Sequence, residues 1–337
     1  MRRKILISDY AWKDLEIERS ILARVNADLV VSATGAEDEL TALARDVHGI
    51  LTCWKPVTAP VIAAARECLA IGRYGIGLDN IDVACATELG IVVTNVPSYC
   101  VDEVSEHALA LLLSLARKVT FYDRAAKSGA YDLQAQTPLF RVHGKTLGIV
   151  GFGRIGRALY AKARGLGLKV IAFDPYVDRG ALSGIDVEVV EFNTLLERSD
   201  FISLHLPLTA ETCGLFNRAA FQRMKSHAFL VNTSRGPLVD TAALREALDK
   251  GLIAGAGLDV LPDEPPPPGD SLVAHPRTII TPHAAFNSEE SLIDLRETAA
   301  RQMAAVLSGT RPDNIVNPQV LKQGNLRAEL QGTGIRD

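Results

Sequence analysis

Four polar side chains in the sequence could act together on a small acid: Arg235, Asp259, Glu264 and His283. Arg235, Asp259 and His283 each follow an apolar run typical of a buried strand, and Glu264 lies five residues after Asp259. The carboxyl ends of parallel strands meet at one edge of an open α/β sheet, where such sheets bind ligands. Arginine can hold a carboxylate through two parallel hydrogen bonds, and histidine titrates near pH ~6.5. A carboxylate bonded to the histidine, which we assign to Glu264, favours the imidazolium and orients the ring.

A glycine motif indicates a nucleotide-binding site upstream of these residues. A strand-like run leads directly into Gly151-Phe-Gly153-Arg-Ile-Gly156, and a helical pattern follows. Gly151 permits the tight turn, Gly153 lets the backbone approach a pyrophosphate, and Gly156 lets the helix pack closely on the strand. This context favours dinucleotide binding over a purely structural glycine turn.

The residues around the motif indicate which dinucleotide is bound. The amide groups of Arg154 and Ile155 would face its phosphates at the helix N-terminus. Asp174 ends the next apolar run, 18 residues after Gly156. A carboxylate there can accept the ribose hydroxyls and repel a 2′-phosphate. The sequence therefore predicts NAD as the cofactor and not NADP.

Strand-like runs alternate with helical patterns over most of the chain, which is typical of an α/β fold with parallel sheets. The predicted strands are 4–8, 29–32, 49–52, 92–95, 146–150, 169–173, 201–204, 229–232, 254–258 and 278–281. Helices are predicted over 101–118, 155–166, 241–250 and 291–307. The tail from Pro318 onward is polar and weakly patterned, so we expect a loosely held terminus.

Length and composition limit the class of protein. The chain has 337 residues, enough for two domains, and the dinucleotide-binding sheet begins so late that the first hundred residues must form another unit. A formal charge of −4 without a basic patch argues against nucleic acid binding, and no apolar run is long enough to span a membrane. The five scattered cysteines lack zinc spacing. We expect a reduced, cytoplasmic protein without a bound metal.

Several further motifs make the sequence resemble the D-2-hydroxyacid dehydrogenase family, in the branch related to C-terminal-binding proteins and phosphoglycerate dehydrogenases. Besides the glycine motif they are Gly75-Ile-Gly77-Leu-Asp79-Asn80-Ile-Asp82, Asp174-Pro175-Tyr176, Asn232-Thr-Ser-Arg-Gly236, Leu258-Asp-Val260 with Glu264-Pro265, and Thr281-Pro-His-Ala-Ala-Phe286. The resemblance covers about residues 45–317. It implies a Rossmann-type doubly wound parallel sheet domain, residues 99–286, that binds NAD. This domain is inserted into a flavodoxin-like α/β domain, residues 1–98 and 287–337, that binds the substrate.

The resemblance also implies an activity and the residues that perform it. The reaction is the NAD-dependent interconversion of a D-2-hydroxy acid and its 2-keto acid, in a protein that is typically a homodimer. The implied catalytic residues are Arg235, Glu264 and His283. The implied cofactor contacts are Gly151, Gly153, Arg154, Ile155, Gly156, Asp174, Leu206, Pro207, Thr233, Ser234 and Asp259. The implied contacts of the substrate carboxylate are Arg235, the backbone amides of Ile76 and Gly77, and Arg73.

Two departures from the family pattern bear on the substrate. Phe286 stands where C-terminal-binding proteins carry tryptophan, so a pocket shaped by that indole is not implied. Phosphoglycerate dehydrogenases place an arginine for the substrate phosphate where this chain has Thr52-Cys53-Trp54-Lys55. Lys55 could replace that arginine, whereas Trp54 favours an apolar or aromatic substrate side chain. The alternatives to the main interpretation are a phosphoglycerate dehydrogenase and an NADH-responsive, corepressor-like binding protein.

Overall fold

The chain divides into two compact units in the computed structural model, which describes residues 2–135, 138–177, 180–182 and 184–331. The terminal unit consists of Met1–Tyr99 and Ser288–Asp337, and the central unit consists of Cys100–Asn287. Within the described residues, no helix is both long and apolar enough to cross a membrane.

Strands and helices alternate along most of the chain, as the sequence pattern predicts. The strands are β1 Arg3–Ile7, β2 Ala27–Val31, β3 Gly49–Thr52, β4 Ala70–Arg73, β5 Val92–Thr94, β6 Thr146–Val150, β7 Lys169–Phe173, β8 Glu188–Val189, β9 Phe201–Leu204, β10 Phe229–Asn232, β11 Gly255–Leu258 and β12 Thr278–Ile280. The α-helices are α1 Glu16–Ala23, α2 Glu37–Leu43, α3 Ala59–Ala64, α4 Val83–Glu88, α5 Val101–Arg117, α6 Val119–Lys127, α7 Arg154–Gly165, α8 Phe192–Arg198, α9 Arg218–Arg223, α10 Thr241–Asp249 and α11 Glu289–Leu307.

A parallel sheet of five strands forms the terminal unit, in the order β2-β1-β3-β4-β5. This is the flavodoxin-like order of doubly wound sheets. Both faces of the sheet are covered: Ile5 and Ile7 pack in one cluster with Met303 of α11, whereas Leu6 packs in another with Leu40 of α2. Because alternate side chains point to opposite faces, a strand covered on both sides is apolar throughout.

The central unit contains a parallel sheet of seven strands, in the order β12-β11-β10-β9-β6-β7-β8. Counted from β6 the strands lie in the order 3-2-1-4-5-6-7, and the first six have the order of the dinucleotide-binding fold. On one face Leu111 and Leu115 of α5 pack with Ile149 of β6, and on the other Leu244 of α10 packs with Ile202 of β9. The strand order reverses between β6 and β9, so a ligand crevice is expected at the carboxyl ends of these two strands. The predicted α/β fold class is confirmed.

The C-terminal segment corrects one expectation, because residues up to 331 are packed and not loosely held. Val320 is fully buried, and the backbone amide of Arg327 donates to the carbonyl oxygen of Gly90 at 2.9 Å. Nη1 of Arg327 donates to the carbonyl oxygen of Ala65 at 2.7 Å. Val320, Ala328 and Leu330 of this segment also join the apolar cluster of the terminal unit, but their irregular spacing gives no periodic pattern in the sequence. Residues 332–337 of the predicted tail lie outside the described residues.

Candidate active site

The glycine motif lies between β6 and α7, and each of its glycines meets a different constraint. Gly151 has φ +95°, and a Cβ there would lie 2.6 Å from the carbonyl oxygen of His205. A Cβ at Gly156 would clash with the carbonyl oxygen of Gly151, so α7 packs directly on the turn. A Cβ at Gly153 would meet no atom within 4 Å. Gly153 therefore faces open space, through which a phosphate can approach the backbone.

Helix α7 presents its first amide groups at this turn. The helix has 12 residues, and its cap residue Gly153 provides no side chain to accept hydrogen bonds. The first amides of a helix, here those of Arg154, Ile155 and Gly156, have no acceptor within the helix. They carry the positive end of the helix dipole and can therefore bind a phosphate.

Asp174 lies at the end of β7 and holds the glycine turn. One carboxylate oxygen accepts the amide of Phe152 at 2.8 Å, and the other accepts the amide of Tyr176 at 2.9 Å. Carboxylate oxygens have further lone pairs, so both can still accept a hydroxyl group. The geometry is compatible with the ribose contact predicted for Asp174.

The other predicted cofactor residues follow β9 and β10 at the same edge of the sheet. Leu206 and Pro207 follow β9, and Thr233 and Ser234 follow β10. The hydroxyl of Ser234 donates to the carbonyl oxygen of Leu204 at 2.7 Å, which ties the two segments together. Thr233 Oγ1 is buried and has no hydrogen-bond partner among the described residues. Because an unpaired buried hydroxyl is costly, this atom is suited to a polar group of a bound molecule. The site thus fits a dinucleotide.

His283 and Glu264 form a hydrogen-bonded pair. Nδ1 of His283 lies 2.6 Å from Oε2 of Glu264, and Oε1 accepts the amide of Leu261 at 2.9 Å. Burial raises the pKa of the Glu264 carboxyl, but the hydrogen bond and charge of His283, the Leu261 amide and the charge of Arg235 together lower it below its ordinary value. Glu264 is therefore a carboxylate at neutral pH, and its bond to Nδ1 leaves Nε2 as the ring nitrogen that can exchange a proton with a bound molecule.

Arg235 lies in the turn after β10, close enough to Glu264 for its charge to act on that carboxylate. The turn is held by Asn232, whose side-chain amide donates to the carbonyl oxygen of Arg235 at 2.8 Å. Nη1 of Arg235 donates to the carbonyl oxygen of Ser234 at 2.8 Å, which orients the guanidinium. The structure therefore brings together Arg235, Glu264 and His283.

Asp259 is buried behind the loop that carries His283. Its backbone carbonyl accepts the amide of His283 at 2.8 Å, and its carboxylate accepts the amides of Ala284 and Ala285, both at 2.9 Å. His283 has φ +52°, a conformation that is unfavourable for residues other than glycine. The three bonds hold the loop in this conformation. They favour a positioning role for Asp259 over the cofactor contact predicted for it.

A hydrogen-bonded chain extends from Asp259 to α5. The hydroxyl of Thr281 donates to Oδ1 of Asp259 at 2.5 Å, and Thr281 Oγ1 lies 2.9 Å from Nε2 of His107. Because Thr281 gives its proton to the carboxylate, its oxygen accepts from His107. The sequence analysis missed His107. A signal was available, since His107 lies between Val104 and Leu111 on the buried face of α5.

His205, which follows β9, is a second residue that the sequence analysis missed. Its Nε2 lies 2.9 Å from Ser203 Oγ, whereas Nδ1 is buried without a partner in the part of the chain that the structure describes. Burial lowers the pKa of His205 to about 4, so the ring is neutral at pH 7. Its place at the end of a strand, next to the predicted cofactor contact Leu206, was the available signal.

The predicted substrate contacts of the terminal unit lie at and after the end of β4. Arg73 is only 6% exposed. Its Nε donates to Oδ1 of Asn80 at 3.1 Å, and its Nη1 donates to the carbonyl oxygen of Tyr74. The guanidinium lies 5.7 Å from the ring centre of Trp54. This burial favours a role in shaping the loop over the direct substrate contact predicted for Arg73. The amides of Ile76 and Gly77 have no acceptor among the described residues. They can therefore bind an anion.

Comparison with known proteins defines the class. The family model described as D-isomer specific 2-hydroxyacid dehydrogenase, NAD binding domain, matches residues 109–285. The chain is 42% identical over 271 residues to a glyoxylate reductase of Korarchaeum cryptofilum, which covers 79% of this chain and 81% of the relative. It is 39% identical to a D-3-phosphoglycerate dehydrogenase of Archaeoglobus fulgidus, over 77% of this chain but only 49% of that protein.

Solved structures agree with this class. A glyoxylate reductase from Paecilomyes thermophila matches with a TM-score of 0.86 at 27% identity, over 94% of this chain and 99% of that one. A D-lactate dehydrogenase from Aquifex aeolicus, complexed with NAD and lactic acid, matches with a TM-score of 0.83 at 27% identity, over 93% and 99%. The chain belongs to the D-isomer-specific 2-hydroxyacid dehydrogenase family. It is an NAD-dependent oxidoreductase that interconverts a D-2-hydroxy acid and its 2-keto acid, as predicted.

Proposed function

We propose that the enzyme reduces a small, unphosphorylated 2-keto acid, with glyoxylate as the first candidate, and that its catalytic residues are Arg235, Glu264 and His283. The observation that carries this proposal is the 2.6 Å pairing of His283 Nδ1 with Glu264, beside the charge of Arg235. Reduction of a keto acid needs one group that binds the carboxylate and another that protonates the carbonyl oxygen. The arrangement provides both.

Each residue of the trio then has a distinct task. Arg235 binds the substrate carboxylate through parallel hydrogen bonds. NAD, when bound, supplies the hydride in its reduced form and accepts it in its oxidised form. His283, as an imidazolium held by Glu264, donates a proton from Nε2 to the carbonyl oxygen. In the oxidation of the hydroxy acid, neutral His283 takes the proton from the hydroxyl group.

The cofactor and the domains are assigned in the same way. We assign NAD binding to residues 99–286, and substrate binding to residues 1–98 and 287–337. The proposed NAD contacts are Gly151, Gly153, Arg154, Ile155, Gly156, Asp174, Leu206, Pro207, Thr233 and Ser234, with Asp259 holding the loop of His283. The unpaired buried hydroxyl of Thr233 and the open space at Gly153 support this assignment.

The terminal unit supports a substrate without a phosphate group. Arg73 is buried against Trp54 and Asn80. The Arg73 guanidinium is thus occupied within the terminal unit, which supports this assignment. Lys55 is exposed and packs along Gly35 through the carbons of its side chain, so its ammonium remains accessible. We assign the amides of Ile76 and Gly77 to a carboxylate oxygen of the substrate. The similarity to glyoxylate reductases makes glyoxylate the first candidate.

Consumption of NADH with a panel of 2-keto acids tests the substrate. The panel contains glyoxylate, hydroxypyruvate, pyruvate, phenylpyruvate and 3-phosphohydroxypyruvate. We expect the highest kcat/KM with glyoxylate. A preference for the phosphorylated acid would instead identify a phosphoglycerate dehydrogenase, the activity named for the Archaeoglobus fulgidus relative.

Two substitutions test the catalytic roles. Arg235→Ala should lower kcat/KM about 100-fold or more, because it removes two charge-assisted hydrogen bonds to the carboxylate. His283→Asn should abolish keto-acid reduction at pH 7. Arg245→Ala is the matched control, since Arg245 is an arginine of α10 that pairs with Asp249 at 2.8 Å. Wild-type turnover in either active-site variant would exclude the role assigned to that residue.

We also propose that the protein is a cytoplasmic homodimer formed through the central unit. Large apolar side chains are exposed on one segment of this unit: Tyr131 is 97% exposed, Leu133 77% and Phe140 50%. Exposed apolar clusters of this kind mark protein interfaces. The five cysteines are free thiols, which supports a reducing compartment.

A further inference from the structure

The loop that follows β4 carries the two backbone amides that we assign to the substrate carboxylate. Ile76 and Gly77 are half-buried, and their amides have no acceptor among the described residues. Strand β5 pairs with β4 in the parallel sheet. The two residues that follow β5, Asn95 and Val96, therefore run alongside this loop.

Two hydrogen bonds from Asn95 and Val96 hold the carbonyl groups of the loop. The amide of Val96 donates to the carbonyl oxygen of Gly75 at 3.0 Å. The side-chain Nδ2 of Asn95 donates to the carbonyl oxygen of Ile76 at 2.6 Å. The first bond comes from the backbone, so any residue except proline could provide it at position 96. The second bond depends on the asparagine side chain.

Each of these bonds fixes the direction of one amide of the loop. A trans peptide group is planar, and its C=O and N–H bonds point in opposite directions. The carbonyl of Gly75 shares a peptide group with the amide of Ile76, and the carbonyl of Ile76 shares one with the amide of Gly77. Because both carbonyls face residues 95 and 96, both amides point away from those residues. They form a pair of donors that an anion can approach.

A buried network of amide groups holds Asn95 in place. Asn95 is 8% exposed, and its Oδ1 accepts Nδ2 of Asn314 at 2.5 Å. Its backbone carbonyl accepts Nε2 of Gln302 in α11 at 3.0 Å, and Oε1 of Gln302 accepts the amide of Asn314 at 3.1 Å. Since Oδ1 of Asn95 is the acceptor for Asn314, Nδ2 is the atom that faces Ile76. A buried network whose members are paired is rigid and specifies one arrangement.

We propose that Asn95 is a positioning residue for substrate binding, whose side chain keeps the amide of Gly77 directed at the carboxylate of the 2-keto acid. The role rests on the proposed function, in which the amides of Ile76 and Gly77 bind that carboxylate. The bond from Asn95 also polarises the peptide group, which makes the Gly77 amide a stronger donor. Without the bond the peptide group is free to turn, and the substrate must order it at a cost in affinity.

Steady-state kinetics of Asn95→Ala at saturating NADH tests this role. The assay uses whichever 2-keto acid of the panel the wild type reduces best, so the test does not depend on glyoxylate. We expect KM for the keto acid to rise about tenfold or more, because a charge-assisted hydrogen bond is weakened. The amide binds the carboxylate in the ground state and in the transition state alike, so kcat should stay within about twofold of the wild type. KM for NADH should not change.

Asn317→Ala is the matched control. Asn317 is also a buried asparagine of the terminal unit, and its Nδ2 donates to the carbonyl oxygen of Ile91 at 3.0 Å. Its Oδ1 accepts the amide of Val93 at 2.8 Å, so these bonds hold β5 and not the loop after β4. Thermal melting should show a lower Tm for Asn317→Ala, as for Asn95→Ala, but KM for the keto acid should stay at the wild-type value. The comparison separates positioning of the loop from a loss of stability.

Asn314→Ala decides the question if Asn95→Ala does not fold. Asn314 is only half-buried, and the substitution removes the donor to Oδ1 of Asn95 while Asn95 itself remains. We expect KM for the keto acid to rise by a smaller factor, about threefold, with kcat again unchanged.

Three results would overturn the positioning role. These are an unchanged KM in the folded variants of Asn95 and Asn314, an equal rise of KM in Asn317→Ala, or a fall in kcat at unchanged KM. If Arg235→Ala lowers kcat/KM while Asn95→Ala does not raise KM, the positioning role is wrong and the proposed function stands. If neither substitution changes kcat/KM, the proposed catalytic site is wrong as well.

Discussion

Replacing Thr281 with valine tests whether the hydrogen-bonded chain from His107 to Asp259 positions the loop that carries His283. The substitution keeps the branched shape of the side chain and removes one hydroxyl group. That hydroxyl donates to the buried carboxylate of Asp259 at 2.5 Å and lies 2.9 Å from Nε2 of His107. The change leaves Arg235, Glu264 and His283 themselves intact.

The expected magnitude follows from the bond that is lost. A hydrogen bond to a charged group contributes about 1.5–3 kcal/mol, and Asp259 keeps its two amide donors in the variant. For a unit of this size 1 kcal/mol corresponds to about 2–4 °C in Tm, so we expect Tm to fall by roughly 3–12 °C. The strained backbone of His283 is then held less firmly. If the whole loss appears in the barrier, kcat falls about 10-fold to 160-fold.

Thr281→Ser is the matched control, because it keeps the hydroxyl group. Melting by calorimetry and steady-state kinetics with NADH and glyoxylate measure both consequences. We expect Thr281→Ser to remain close to the wild type. In Thr281→Val we expect kcat to fall while KM for NADH is unchanged, since the glycine turn is not altered.

Two outcomes would refute this reasoning. If Thr281→Val melts and turns over like Thr281→Ser, the chain from His107 to Asp259 does not hold the loop. If Thr281→Val loses stability but keeps wild-type kcat, the bond stabilises the fold without positioning His283.

Three further predictions concern charge, cofactor choice and assembly. The pKa of Glu264 is lowered from its ordinary value of 4.5 despite burial. Its carboxylate therefore stabilises the folded state above pH 4.5, and this stabilisation is lost as the pH falls through the lowered pKa. Glu264→Gln should remove this dependence of the unfolding free energy on pH, as measured by denaturant melts at pH values from 4.5 downward. The effect should be small because the side chain is 35% exposed, and a pH profile identical to that of the wild type would contradict it. Asp174→Asn keeps an acceptor for the Phe152 amide but removes the charge, so the ratio of kcat/KM for NAD to that for NADP should fall, and an unmoved ratio would rule out the charge as its source. Leu133→Asp should convert the dimer to a monomer, as measured by light scattering. Ile293→Asp is the control, because it changes an exposed apolar residue of the terminal unit and should leave the dimer intact. If the Leu133→Asp variant remains a dimer, the proposed interface is wrong.

Strands that are covered on both faces could be predicted from sequence. β3, β6, β7, β9 and β10 have the predicted bounds. Every residue in a doubly covered strand meets the core, so the apolar run and the strand largely coincide. Two strands were not predicted. In β4 the apolar run is interrupted by Gly72, where a larger residue does not fit because a Cβ would lie 2.5 Å from Leu51. β8 has only two residues, which is too short for a recognisable run.

The glycine motif and the polar residues at strand ends could also be predicted, because they depend on local rules. A tight turn with φ +95° at Gly151 favours glycine, and parallel strands direct their carboxyl ends to one edge. The family resemblance rests on the same residues. These local rules do not show which polar atoms form hydrogen bonds with each other in the folded chain.

By itself the sequence determined the fold class and the NAD-dependent family, and it predicted positions for the chemistry, since residue type and spacing record burial and backbone conformation. Only the tertiary structure decided that Asp259 holds the loop of His283 and that Arg73 is buried. The bond between His107 and Thr281 joins residues 174 positions apart. Such a contact depends on how the sheet brings distant segments together, and no local pattern of residues records it.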